Sequence, residues 1–174
     1  MIQYLQNCFD FCLRRPPSLL ASTAKRVVAY RFDHRPLEGF LNPATFLLPD
    51  GIELLTMEGA VEVIPYGRLK TVCFTGAPGH FDLFQSDQLF TRRPRISGLW
   101  VRFTFRDGDR IDGILPHNLS DWPRQGYMAT PPRRQKIFIP REAIQTTELQ
   151  GVIGLTKGKP KSAKQPADQL KMFE

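Results

Sequence analysis

An alternating hairpin pattern at residues 100–114 constrains the fold more than any other feature; the stretch reads WVRFTFRDGDRIDGI. From Val101 to Phe105 every second residue is apolar, which is the period of a strand with one apolar face and one polar face. Asp107 and Gly108 follow, and this pair is typical of a tight β-hairpin turn because glycine adopts positive φ angles without strain. The pattern predicts two antiparallel strands with a basic outer face.

The same pattern occurs earlier in the chain, over residues 25–40. One block of matching residues keeps a spacing of 74, and a second block, around an Ile-Pro pair, keeps a spacing of 75. The matches are Asp33 and Asp107, Leu37 and Ile111, Gly39 and Gly113, and Phe40 and Ile114, followed by Val63 and Phe138 with the residues after them. A spacing kept over two blocks indicates an internal duplication. The alternative is that strands alternate in general and that Asp-Gly turns are common.

Length and composition favour a protein of short strands. The 174 residues allow one ordinary domain or two small ones, and 13 Phe, 4 Tyr and 2 Trp can fill a core. The 15 Pro and 13 Gly favour turns over long helices. We therefore expect a mostly β fold of two tandem, small, five-stranded, barrel-like repeats that pack together, since each is small for a core of its own.

The sequence divides into five predicted segments. Residues 1–24 are expected to be helical, since apolar residues recur there at helical spacing until a pair of prolines stops the helix. Residues 25–75 form the first barrel repeat, residues 76–97 a linker, and residues 98–154 the second, basic repeat. Residues 155–174 are predicted to be a disordered tail, because their Lys, Gly, Pro and Ser content cannot bury a core.

The net charge of +7 is concentrated in the second repeat. Residues 26–87 carry five basic and eight acidic residues, a net charge of −3, whereas residues 88–141 carry eleven basic and four acidic residues, a net charge of +7. A local basic field favours polyanions, and arginine binds phosphate through two nitrogen atoms. The predicted nucleic-acid-binding residues are Arg92, Arg93, Arg95, Arg102, Arg106, Arg133, Arg134 and Lys136. For the run at 92–95, the alternative is a solvated loop.

The order of strands and turns resembles the Sm-like small barrel of Sm proteins and bacterial Hfq. A glycine in the second strand of a bent hairpin and an Ile-Pro pair before the closing strand carry the resemblance; here they are Gly39 with residues 61–69, and Gly113 with residues 136–144. The resemblance implies barrels that assemble edge to edge and bind RNA or proteins. The RNA-contacting residues of that family have no match after either glycine, so the resemblance implies a fold and no RNA site.

The predicted tail ends in a second resemblance. Residues 169–173, QLKMF, are similar to the short peptide by which bacterial replication and repair proteins dock on the sliding clamp. The resemblance implies that the Gln169 amide binds backbone and ordered water while Leu170, Met172 and Phe173 fill an apolar groove. A flexible linker would let the docked protein reach DNA. The alternative is that the apolar residues pack back onto the barrels.

No residue pattern indicates catalysis, a cofactor or a metal. His34, His80 and His117 lie far apart in turns or loops, and the common nucleotide-binding, hydrolase and metalloprotease motifs do not occur. Asp107 and Asp109 flank a hairpin turn, whose chemistry explains them without a metal.

Three cysteines, Cys8, Cys12 and Cys73, form no disulfide framework, which favours a reducing, cytoplasmic setting. The apolar stretch at the N-terminus is too short to span a bilayer, so no membrane contact is predicted.

These observations predict a non-enzymatic, nucleic-acid-associated adaptor. Its basic repeat would bind phosphate, and its terminal peptide would dock on a protein such as the sliding clamp. One alternative is a protein-interaction module that binds no nucleic acid and forms homo-oligomers through contact between the acidic and basic repeats. Another is a sensor of a small ligand such as a cyclic dinucleotide, although the required Arg and Ser-Gly spacing is not met.

Overall fold

A computed structural model describes residues 23–33, 35–75, 83–84, 88–133 and 135–154. These residues form ten strands and two single turns of 3-10 helix, so the prediction of a mostly β protein is confirmed. The predicted N-terminal helix and the predicted disordered tail fall on residues outside this description, apart from Thr23 and Ala24. Part of the predicted linker lies outside it as well.

All strand pairs between the named strands are antiparallel, and the strands form two sheets. The larger sheet has seven strands in the order β4-β3-β2-β1-β5-β9-β8, and the smaller has three in the order β10-β6-β7. The strands are β1 (Lys25–Arg31), β2 (Leu37–Leu41), β3 (Gly51–Thr56), β4 (Val61–Pro65), β5 (Leu69–Phe74), β6 (Gly98–Phe105), β7 (Arg110–Leu115), β8 (Gly126–Ala129), β9 (Ile137–Pro140) and β10 (Ile144–Ile153).

The predicted alternating hairpin is the pair β6 and β7. Val101 and Phe105 are buried, as the period of two requires, and Gly108 in the turn has a φ of 89°. That angle lies in the region that glycine adopts without steric cost.

The last five strands follow the same order as the first five, although they are divided between the two sheets. β1 to β5 lie in the order β4-β3-β2-β1-β5. An antiparallel bridge between Ile114 and Thr130 links β7 to β8, which gives the order β9-β8-β7-β6-β10 for the second half. Each strand of the first half therefore has an equivalent five strands later.

The pairing registers of the two halves also correspond at the spacing seen in the sequence. Val27 lies opposite Gly39 in the first hairpin, and Val101 lies opposite Gly113 in the second. Both members of the pair are displaced by the spacing of the first matching block, as an internal duplication predicts.

One irregularity in the strands corresponds too, while a second one, at Gln150 in the pairing of β6 with β10, has no counterpart in the pairing of β1 with β5. The pairing of β1 with β5 skips Lys70, and the pairing of β6 with β10 skips Gln145, which is the equivalent of Lys70 at the spacing of the second matching block. Bulges of this kind bend a strand sharply and help to close a small sheet on itself.

In each half, one glycine marks a close approach of two neighbouring strands. A Cβ atom on Gly51 would collide with the carbonyl oxygen of Ile64, and one on Gly126 would collide with the carbonyl oxygen of Ile139. The two glycines are equivalent at the spacing of the second matching block. Only glycine fits at either position without moving the backbone.

The two halves are joined by the pairing of β5 with β9, in which Val72 lies opposite Phe138 and Cys73 opposite Ile137. The hydroxyl of Thr71 donates to the Phe138 carbonyl oxygen at 2.7 Å and is fully buried. Each of the two core clusters therefore contains residues from both halves. The first-half cluster includes Phe138, and the second-half cluster includes Cys73.

Candidate nucleic-acid interface

A cavity of about 240 Å³ lies where β7 meets β8 in the basic half of the chain. Ile114 and Met128 contribute to its apolar floor, and Thr130 and Lys136 line its side. Ile96 and Ser97 also line the cavity, together with Leu115, Pro116 and Ala129. We call this cavity, with the exposed basic residues beside it, the basic pocket.

The basic pocket brings together two of the basic segments that the sequence indicated. The arginine run ends at Arg95, directly before Ile96 and Ser97 in the lining. The turn that carries Arg133 begins after Thr130 and ends at Lys136, which are both lining residues. Five of the predicted side chains in these segments are exposed: Arg92, Arg93, Arg95, Arg133 and Lys136. Arg134 lies outside the described residues.

Arg93 ties the arginine run to the last strand. Its guanidinium donates to the carbonyl oxygen of Val152 in β10 at 3.2 Å. This bond holds the run against the small sheet, so the neighbouring arginines are presented beside the pocket by an ordered segment.

Arg102 has a structural partner that the alternating pattern did not indicate. Its Nε donates to Oδ1 of Asp112 at 2.8 Å and its Nη2 donates to Oδ2 at 3.2 Å. Asp112 is fully buried and also accepts from the indole of Trp100 at 3.1 Å and the backbone N–H of Phe90 at 3.0 Å. A buried carboxylate needs such a counter-charge, so Arg102 is committed to the fold.

Arg106 lies at the opposite end of the hairpin from the basic pocket. The pocket is at the Leu115 end of the β6–β7 pair, whereas Arg106 is in the turn. Most of the eight-residue length of β6 therefore separates the two places. The Arg106 guanidinium lies 3.9 Å from the ring centre of Phe32 and donates to the Gly67 carbonyl oxygen.

The two turn aspartates bind a lysine from the other half of the chain. Lys70 is 5% exposed, and its ammonium donates to Asp107 at 2.6 Å and also to Asp109. The same ammonium lies 3.8 Å from the ring centre of Phe84, a cation–π distance. Sequence reasoning attributed the aspartates to turn geometry and missed Lys70, whose signal is a charge inside the otherwise apolar strand β5.

A smaller cavity of about 130 Å³ occupies the equivalent place in the first half. Its lining includes Phe40 and Leu55, which match Ile114 and Thr130 of the basic pocket at spacings of 74 and 75. The charged residue in this lining is Glu53, the equivalent of Met128, whereas the charged residue in the basic pocket is Lys136. The two cavities therefore share a position in the fold and differ in the sign of their charge.

The remaining titratable groups indicate no chemical site. Among the described residues, no group of three or more His, Cys, Asp or Glu is close enough to hold a metal ion. Cys73 is fully buried, and burial raises the pKa of its thiol from 9.0 to about 11, so it is not a reactive thiolate at neutral pH.

The described residues contain no helix that is long and apolar enough to cross a membrane.

Comparison with known proteins gives one family match. The model of a family of unknown function (DUF6982) matches residues 23–151, a range that runs from just before β1 into the end of β10. No curated protein and no solved structure matches the chain.

Proposed function

From the premise that the chain belongs to the DUF6982 family, a family of unknown function, we propose that the protein is a non-enzymatic adaptor that binds single-stranded nucleic acid at the basic pocket. The observation that carries the proposal is the convergence of the Arg92–Arg95 run and the Arg133–Lys136 turn on one cavity with an apolar floor.

The chemistry of the pocket fits an unpaired nucleotide. Its apolar floor, which includes Ile114 and Met128, offers a surface for the face of a base. Lys136 in its lining, and the exposed Arg95 and Arg133 in the segments that lead into the lining, offer positive charge to the phosphates on either side. A duplex would present only its backbone to so small a cavity, so a single strand is the better ligand.

We interpret the two halves as tandem Sm-like small barrels. The strand order β9-β8-β7-β6-β10 repeats β4-β3-β2-β1-β5, and the matching bulges support two curved sheets of five strands each. In this interpretation the two cavities lie at equivalent places in the two barrels, and only the second has a basic surround.

The terminal peptide gives the adaptor its second partner in this proposal. Gln169, Leu170, Met172 and Phe173 would dock on a protein such as the bacterial sliding clamp, and the preceding residues would act as the linker. With a single described cysteine that is buried and free, we assign the protein to the cytoplasm.

The nucleic-acid part is tested by fluorescence anisotropy with labelled oligo-dT and oligo-U over a salt series. The variant Arg133→Gln with Lys136→Gln should bind at least about tenfold more weakly at low salt. Its slope of log affinity against log salt should fall by about 1.4, because each lost cation contributes about 0.7 on a single strand.

The matched control is Lys25→Gln with Arg35→Gln, which removes the same charge from two exposed residues of the first half. The control should bind as the wild type does. Equal losses of affinity in the two variants would show that the effect comes from net charge and not from the basic pocket. No binding by the wild type would rule out the proposal.

The tail is tested separately by biolayer interferometry on an immobilised bacterial sliding clamp. The full chain should bind, and a chain that ends at Pro166 should not. Binding that survives the truncation, or no binding by the full chain, would remove the clamp from the proposal and leave the pocket unaffected.

A further inference from the structure

We propose that the protein binds second copies of itself head to tail, through antiparallel pairing of β10 of one chain with β4 of the next. The inference goes beyond the proposed function and does not depend on it. It rests on the contact between β5 and β9, which joins the two halves within one chain, and on the equivalent strands that this contact leaves uncovered.

The internal contact is a backbone pairing reinforced by one side chain. The N–H of Phe74 donates to the Lys136 carbonyl oxygen at 2.9 Å, and Val72 lies opposite Phe138. The hydroxyl of Thr71 donates to the Phe138 carbonyl oxygen at 2.7 Å. β5 is the last strand of the first half, and β9 is the fourth strand of the second half.

Among the described residues, the equivalent strands in the two halves are unpaired on their outer sides. β10 corresponds to β5, and β4 corresponds to β9. Within the part of the chain that the structure describes, β10 pairs only with β6, and β4 pairs only with β3. Unpaired edges of this kind are templates for another strand, and natural proteins usually protect long ones by charge, by bulges or by covering them.

Both free strands carry exposed apolar side chains. Val61 and Val63 in β4 are 64% and 53% exposed, and Leu149 in β10 is 62% exposed. Leu55, opposite Val61 on β3, and Met57 extend the apolar surface of the β4 edge. Clusters of exposed apolar residues on a sheet edge are typical of surfaces that associate.

The internal register specifies how the two edges would meet. In the internal contact Val72 lies opposite Phe138. Their equivalents at the spacing of the second matching block are Thr147 and Val63, so Thr147 of one chain would lie opposite Val63 of the next. The bond from Phe74 to Lys136 becomes a bond from the Leu149 N–H to the Val61 carbonyl oxygen, which brings two of the most exposed apolar residues together.

A threonine is present at the position that reinforces the internal contact. Thr146 is the equivalent of Thr71 at the same spacing, so its hydroxyl faces the place of the Val63 carbonyl oxygen in the neighbouring chain. At the far end of β10, Arg93 and His117 already bind the carbonyl oxygens of Val152 and Ile153. The open part of the edge thus coincides with the part that the register uses.

One pair in this register is unfavourable and provides a sensitive test. The pair Cys73 and Ile137 becomes Glu148 opposite Glu62 of the next chain. Like charges placed directly opposite weaken a strand pair. Arg31 lies 3.4 Å from Glu62 and partly offsets the repulsion. The variant Glu148→Gln should therefore tighten the association.

The two edges differ, so the contact is heterologous: each chain offers a β4 edge and a β10 edge. Heterologous contacts produce rings when the rotation closes and filaments when it does not. The β4 edge belongs to the first half, where residues 26–87 carry a net charge of −3, and β10 closes the second half, where residues 88–141 carry a net charge of +7, which favours head-to-tail over head-to-head contact.

The test is sedimentation velocity of the full chain over a concentration series. The wild type should sediment as a species of at least twice the chain mass of 19.9 kDa, in proportions that rise with concentration. The β4-edge variant is Val61→Lys with Val63→Lys, and the β10-edge variant is Leu149→Pro, which removes the N–H donor at a position where an edge strand tolerates proline. Each should weaken association by at least about tenfold.

Leu149→Lys removes the same apolar contact and keeps the backbone donor. A folding defect specific to proline would change the circular dichroism of Leu149→Pro alone, whereas weaker association in both variants, with unchanged spectra, indicates a loss of the edge contact. The matched control is Leu119→Lys, because Leu119 is 64% exposed and lies away from both edges. It should assemble as the wild type does.

Mixing the two edge variants decides the geometry. Each retains one intact edge, so the mixture should contain a species of twice the monomer mass that neither variant forms alone. A monomeric wild type at high concentration, or assembly unchanged by both edge variants, would overturn the proposal. A mixture that remains monomeric, while the wild type assembles, would overturn the head-to-tail pairing.

Discussion

Strands β5 and β10 hold equivalent places in the two halves of the molecule, yet their surroundings are opposite. From Leu69 to Cys73, β5 is buried at every position, whereas β10 is exposed from Gln145 to Gln150. The same contrast separates β9, which is buried throughout, from its equivalent β4, where Val61, Val63 and Pro65 are exposed.

The contrast follows from which strand lies beside each one. β5 lies between β1 and β9 in the sheet, and its two faces enter the two core clusters, through Cys73 on one face and Val72 on the other, so apolar residues are favourable on both faces. Among the strands that the structure describes, β10 has only β6 beside it, and the polar residues from Gln145 to Glu148 suit that half-covered state. Equivalent positions in a repeated fold therefore receive their residues according to their neighbours.

The largest effect we expect separates the equivalent residues Phe138 and Val63. Phe138 is fully buried in the first-half core, where its ring centre lies 5.5 Å from that of Phe46, whereas Val63 is 53% exposed. Phe138→Ala should lower the free energy of unfolding by about 3–5 kcal/mol, because it removes a large core side chain and leaves a cavity. Val63→Ala should cost about 0.5 kcal/mol or less.

Urea denaturation at a concentration where the protein is monomeric measures both changes. Similar losses in the two variants would show that β4 is covered in solution in the way β9 is, and would remove the basis of the comparison.

The second expected effect separates Asp112 from Glu38, its equivalent at the spacing of the first matching block. Asp112→Ala leaves the Trp100 indole, the Phe90 N–H and Arg102 without their buried acceptor and should cost about 3 kcal/mol. Glu38 pairs with Arg26 at 2.6 Å, but both side chains are partly exposed. Glu38→Ala should therefore cost about 1 kcal/mol or less.

Thermal and urea unfolding of both variants provide the measurement, with Asp112→Asn as an intermediate case that retains one acceptor oxygen. If Asp112→Ala were as mild as Glu38→Ala, the carboxylate would not be the buried centre that holds Arg102.

These contrasts also show what could be predicted from the sequence. Alternation from Val101 to Phe105 indicated the β6–β7 hairpin, because a period of two is a local property of one strand. The matched glycines Gly39 and Gly113 indicated the equivalent hairpin, since strand registers preserve spacing. The mostly β fold followed from these local patterns.

Contacts between distant strands could not be predicted in this way. Periodicity shows that a strand has an apolar face but not which strand covers its edge, so the contact of Cys73 with Ile137 was not anticipated. Alternation also placed Arg102 on a solvent-facing side, and only the pairing of β6 with β7 reveals Asp112 beside it. The meeting of Ile96, next to the arginine run, with Lys136 in one pocket likewise depends on pairing across the sheet.

The smallest effect concerns Cys73 and its equivalent position, Glu148. Burial raises the pKa of the Cys73 thiol from 9.0 to about 11, so the folded protein holds this proton more tightly than the unfolded chain does. The thiol's contribution to stability is therefore constant below pH 9.0 and declines as the pH rises towards about 11. At pH 10 the decline should be about 1.4 kcal/mol, because one pKa unit corresponds to about 1.36 kcal/mol.

The measurement compares two proteins in a background with Cys8→Ser and Cys12→Ser, each unfolded in urea at pH 8 and at pH 10. The first retains Cys73, and the second carries Cys73→Ala with Glu148→Cys, which moves the thiol to the uncovered equivalent strand. Lysine and tyrosine titrations are common to both, so the difference between them isolates the thiol. Because a thiol at 148 is solvated in the monomer, the second protein should lose less stability between the two pH values. Equal losses of stability would mean that a thiol on β10 is as well covered in the monomer as one on β5. That result would contradict the exposed β10 edge that head-to-tail assembly requires.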